Sequence, residues 1–111
     1  MSGYVPEKGD FVWLTFDPQA GHEQKGRRTA VVVSNTLFNK KTGLAFVCPT
    51  TTRERGYPFH VSIPAGLPVH GFVMTDQLKS VDYRARKATY IAQAPEELVD
   101  EIMAIIEAIM Q

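Results

Sequence analysis

Six short apolar runs, DFVWLTF, TAVVVS, LAFVC, FHVSI, GFVMT and KATYIA, recur between turn signals such as NKKTG, ERGYP, PAGLPVHG and VDYRAR. Parallel strands need crossovers of about a dozen residues or more, so this spacing favours an antiparallel, curled sheet. With 111 residues the chain holds one domain, residues 1–111, and its sheet reads as a small β-barrel. Within the first run Val12, Leu14 and Phe16 alternate with Phe11, Trp13 and Thr15, the period of a half-buried strand. SNTLFNKKTG predicts a turn or two of helix ending at Gly43, and DQLKSVDYR predicts another. The tail APEELVDEIMAIIEAIMQ places Leu98, Ile102, Ile105, Ile106 and Ile109 on one helical stripe, with Pro95 and four acids suiting the positive end of the dipole. The fold class expected is therefore mainly β (α+β), with a C-terminal α-helix that buries its stripe against the sheet.

Hydrophobic residues make up 44% of the chain and charged residues 22%, which excludes a disordered chain. The lone Cys48, inside LAFVC, rules out a disulfide framework and suits a reducing cytosol. MSGYVPEKGD lacks the basic and apolar regions of a leader, and no run approaches the roughly 18 apolar residues of a spanning helix. A cytoplasmic protein without membrane contact is expected. Net charge is zero, yet its distribution is uneven. Lys25 to Arg55 holds seven basic residues and one acid, +6, whereas Gln93 to Gln111 holds five acids and no base, −5. A basic face toward a polyanion and an acidic helix elsewhere fit this pattern, as do two ordinary solvated surfaces.

FDPQAGHEQKGRRTAVVVS raises a separate question. Hairpins connect in about two to five residues, whereas Asp17 to Arg27 spans eleven before an apolar strand begins. Long loops without secondary structure of their own are usually functional or disordered, and function is the working reading here. His22, His60 and His70 have no Cys or carboxylate at ligand spacing, so no metal or other cofactor is expected. No phosphate-binding Gly loop and no G-x-S-x-G elbow is present. What remains is Glu23, Arg27 and Arg28 in the loop, PTTTRERGYP after one strand and TDQLKS after another. Loops at one end of a small barrel share a rim, where guanidinium groups beside Thr hydroxyls suit a phosphate oxyanion or a phosphorane. A solvated charged loop is the other reading of the same cluster.

GDFVWLTFDPQAGHEQKGRRTAVVVSN, CPTTTRERGYPFHVSI and DQLKSVDYRARKA closely resemble the MazF/PemK family of toxin endoribonucleases, in order and over nearly the entire chain. The family pattern is a G-D strand, a G-x-E-Q-x-G-x-R-P loop, a Thr after the third strand and a D-Q-x-[KR]-[ST] segment. The resemblance implies an SH3-like barrel of about six or seven strands with a C-terminal helix. It also implies a homodimer, metal-independent and sequence-selective cleavage of single-stranded RNA, and inhibition by a MazE-like antitoxin. Carried over by motif, the catalytic residues fall on Glu23, Arg28 and Thr51, with Thr50 and Thr52 as register alternatives to Thr51. Candidate RNA contacts are Gln24, Lys25, Arg27, Thr50, Thr52, Arg53, Arg55, Gln77 and Lys79. Thr29 stands where the family usually has Pro, which frees φ and is expected to loosen the Arg28 backbone. A CcdB-like gyrase-binding poison and an inactive RNA-binding barrel are the alternatives, because fold does not fix function.

Overall fold

The run AVVV has no polar alternation because the sheet that holds it is covered on both faces. The computed structural model describes residues 3–15 and 26–111. Its elements are β1 (Asp10–Thr15), β2 (Arg27–Val32), α1 (Thr36–Thr42), β3 (Leu44–Thr51), β4 (His60–Ser62), β5 (Phe72–Met74), a 3-10 turn (Thr75–Gln77), β6 (Lys79–Asp82), β7 (Thr89–Gln93) and α2 (Glu96–Met110). On one face Phe11, Val31, Val33, Cys48, Val61 and Val73 pack with Leu98 and Ile102 of α2. On the other, Val12, Leu14, Ala30, Val32, Ala45, Val47, Val81 and Tyr83 form a second layer. Fully burying a side chain such as Phe11, Leu14 or Ile102 stabilises the fold by about 1.5–3 kcal/mol.

The strands pair antiparallel in the order β4-β5-β3-β2-β1-β7, and β6 joins at β3. One edge of β3 takes β2; the other takes β6 along Leu44–Val47 and then β5 along Thr50–Thr51. That fork divides the sheet and curls it. Among the described residues no ladder joins β4 to β7, so hydrogen bonds do not close the barrel.

Some expectations hold and others change. The strand DFVWLT lies between β2 and β7 with Val12 and Leu14 buried on one face as expected, while the other face is buried at Phe11 and open at Trp13. Its expected last residue, Phe16, and the loop through Lys25 lie outside the described residues. DQLKSVDYR forms a short 3-10 turn and then a seventh strand, not a helix, because Leu44–Val47 supplies a free edge for KSVD. The helix expected at SNTLFNKKTG forms as α1, with the Asn35 side chain accepting from Phe38 N–H at 2.8 Å and Gly43 ending it at φ 74°. In α2, Leu98 and Ile102 are buried, whereas Ile109 and Met110 at its end are exposed.

Candidate functional site

Arg27 and Arg28 are consecutive on a strand, so their side chains leave on opposite faces. Arg27 is committed to the fold. Its guanidinium donates to Thr15 Oγ1 at 3.0 Å, to the Lys87 carbonyl at 3.0 Å and to Thr89 Oγ1 at 3.1 Å, clamping β2, β1 and β7 together. Arg28, opposite Leu14 in the β1–β2 ladder, is exposed, and no described residue accepts from it. It lines an open cleft of about 410 Å³ with Trp13, Thr29, Thr50, Thr51, Thr52, Pro68, Val69 and His70.

The three consecutive threonines are not equivalent there. Thr50 is buried, and its hydroxyl is hydrogen-bonded to that of Thr29. Thr51 Oγ1 accepts the Arg53 backbone N–H at 3.1 Å. A hydroxyl has one donor and two acceptor positions, so its O–H is left to donate into the cleft. Thr52 is exposed on the rim. The Thr29–Thr50 bond also answers the missing Pro. Thr29 stays in register opposite Trp13, and its side chain ties β2 to β3 beside Arg28.

Close approach of a second segment positions Thr51. Gly71 has φ 106°, and a Cβ there would lie 2.1 Å from the Thr51 carbonyl oxygen and 2.9 Å from Thr52 Cα. Only glycine fits against the strand end, and its carbonyl accepts from Ile63 N–H at 2.8 Å. The sequence marked PAGLPVHG as a turn without singling out Gly71, Pro68 or Val69, and weighed His70 only as a metal ligand. Trp13 was placed on a strand face, and Thr29 was noted for its departure alone. No local pattern distinguishes these residues, since tertiary approach defines their roles.

Of the expected site residues, the cleft brings together Arg28, Thr50, Thr51 and Thr52. Arg53 and Arg55 follow on the exposed stretch between β3 and β4. Gln77 and Lys79 lie on the 3-10 turn and β6, outside the cleft lining. Glu23, Gln24 and Lys25 lie outside the described residues. The basic segment does not stay together: Lys40 and Lys41 sit in the last turn of α1, beside the start of β3, whereas Thr51 is at the end of that eight-residue strand.

Comparison with known proteins gives a consistent picture. The chain is 48% identical over 99 residues to the endoribonuclease toxin MazF of Escherichia coli (strain K12), covering 88% of each chain. A crystal structure of MazF from Deinococcus radiodurans superposes with a TM-score of 0.87 at 46% identity, over 97% of this chain and 98% of that one. A MazE–MazF crystal structure from the same organism gives 0.86 at 40% identity, over 97% of both chains. Since the family model for PemK-like, MazF-like toxins of type II toxin–antitoxin systems also matches residues 7–110, the chain belongs to that family.

Proposed function

We propose that the cleft cleaves single-stranded RNA by attack of a ribose 2′-OH on its adjacent phosphate. The observation that carries this is the pairing, in one open cleft, of an exposed Arg28, from which no described residue accepts, with a Thr51 hydroxyl whose proton is left to donate. The 2′-oxygen bonds to phosphorus, the P–O5′ bond breaks, and the products carry a 2′,3′-cyclic phosphate and a 5′-OH. The 2′ proton leaves to a base and the departing O5′ is protonated, so no water is consumed. The planar Arg28 fork binds two phosphorane oxygens as charge develops, and Thr51 donates to one of them. A donor of this kind contributes about 3–4 kcal/mol to the transition state. Arg28 acts as a fixed donor fork and not as the proton carrier, because a guanidinium has five N–H donors and no acceptor. Glu23, by its motif position, orients the 2′-OH or takes its proton. Among the three threonines we assign Thr51, because Thr50 is occupied by Thr29.

The same reading makes the protein a cytoplasmic toxin acting as a homodimer on mRNA. Its inhibitor is a MazE-like antitoxin whose acidic, partly disordered tail competes for the basic cleft. Pure protein incubated with a long single-stranded RNA in EDTA tests the chemistry. Discrete cuts whose downstream fragments carry 5′-OH ends are expected. Inhibition of gyrase without any cut would establish the CcdB-like alternative, and binding without either would establish the inactive barrel.

A further inference from the structure

Trp13 is the one large side chain of the cleft whose exposure the fold does not explain. Its strand neighbours Val12 and Leu14 are each 1% exposed, whereas Trp13 is 43% exposed. Three other exposed aromatic rings are partnered: Tyr90 meets Tyr4, Phe46 stacks on Phe38, and Tyr57 meets His60; Phe59, also 43% exposed, lies outside the cleft lining. Among the described residues no ring and no hydrogen bond holds the Trp13 indole. Its Cα partners across the sheet are Thr29 on β2 and Thr89 on β7, side chains too short to cover an indole face.

We propose that Trp13 is the platform of a nucleobase subsite, on which one base of the RNA strand stacks beside the phosphate addressed by Arg28 and Thr51. This rests on the ribonuclease reading above. The sheet order carries the geometry: β1 with Trp13, then β2 with Arg28 and Thr29, then β3 with Thr50 and Thr51. Adjacent strands lie about 4.8 Å apart, so Trp13 stands roughly 10 Å from the β3 threonines, with the Arg28 strand between them. Trp13, Thr29 and Thr50 share one face of this row, and Arg28, leaving on the other face, reaches the same cleft from its wall, so a nucleotide laid across the row puts its base over the indole and its phosphate at the end lined by the threonines and Arg28. Stacking accepts any base, because every base has a π-face. Trp13 therefore sets the position of the strand relative to the reacting phosphate, and not the identity of the base.

The chain has a single tryptophan, so its fluorescence reports this residue alone. The test uses wild-type protein and an oligonucleotide spanning a mapped cut, made uncleavable by a 2′-deoxy sugar at the scissile position. A matched series carries one abasic site at each position flanking the cut. Quenching by the intact strand is expected, together with its loss for one abasic position. Trp13→Leu should weaken binding of the intact strand roughly 5- to 150-fold, with no further loss on the abasic one, and Trp13→Phe should recover part of it. If the wild-type protein cuts RNA but its emission is unchanged, or if every abasic strand quenches equally, the subsite is refuted while the nuclease stands. Quenching by an acidic peptide and not by RNA likewise refutes it, making Trp13 a protein-docking residue. If wild-type protein cuts no RNA, the proposed function fails and the subsite fails with it.

Discussion

Two adjacent arginines with opposite fates show how little residue type says on its own. Arg27 spends its donors on Thr15, Lys87 and Thr89, so replacing it removes a clamp; Arg28 makes no such bond among the described residues. Arg28→Ala is accordingly expected to abolish cleavage, by about a hundredfold or more in single-turnover rate, while urea denaturation stays near wild type. Thr51→Ala should cost less, because one neutral hydroxyl is lost and the charge remains. Thr50→Val should act differently: it breaks the link to Thr29 and lowers stability by about 1 kcal/mol, the worth of an ordinary hydrogen bond. A Thr50→Val protein that was fully stable yet inactive, beside an active Thr51→Ala, would reverse the assignment of the two threonines.

At the scale of elements, the β3 terminus and the segment before β5 form one unit held by Gly71. Alanine there combines a left-handed backbone with a 2.1 Å clash, whereas Gly56, at φ 69°, has nothing within 4 Å of its would-be Cβ. Gly56→Ala should cost only backbone strain, about 1–3 kcal/mol. Gly71→Ala should cost that and more, and should slow cleavage in the fraction that folds, because relief of the clash moves Thr51. Equal denaturation midpoints for the two variants would show that the close approach is not rigid. The contrast also explains which parts were legible in the sequence. Runs such as AVVV and the α2 stripe announce themselves through local pattern, and Asn35 and Gly43 mark the ends of α1. The strand at Lys79–Asp82 buries only Val81 and exists because β3 offers it an edge, so its pattern is weak. Arg28 and the threonine run were legible through family motif. Trp13, Thr29 and Gly71 were not, because each takes its role from a segment distant in sequence.

For the molecule as a whole, burial and charge make two separate demands. Cys48 is 0% exposed in the core, and burial pushes its thiol up to about 12, with the negative charge of Asp76 adding. The unfolded thiol ionises near 9, so this contribution to stability is complete below pH 9 and is lost as pH rises toward 12. Stability measured by denaturant should therefore fall over that window by about 1.4 kcal/mol per pH unit from this group, and Cys48→Ala should flatten that component. The charge pattern makes the sharper demand, because net charge is zero while RNA binding needs local cations. Single-stranded binding loses affinity with a log–log salt slope of about −0.7 per phosphate neutralised. Arg28 lines the cleft; Lys40 and Lys41 sit at the opposite end of β3, an eight-residue strand spanning roughly 23 Å. That distance exceeds the screening length of about 8 Å at physiological salt. Arg28→Ala is expected to make the slope shallower by about 0.7 for an uncleavable strand, and Arg53→Ala or Arg55→Ala to do so where each meets a phosphate. A Lys40→Ala, Lys41→Ala double variant should leave both the slope and the affinity unchanged. If that double variant flattened the slope while Arg28→Ala did not, the RNA path would run along α1, and the cleft between Trp13 and His70 would not be where the strand is held.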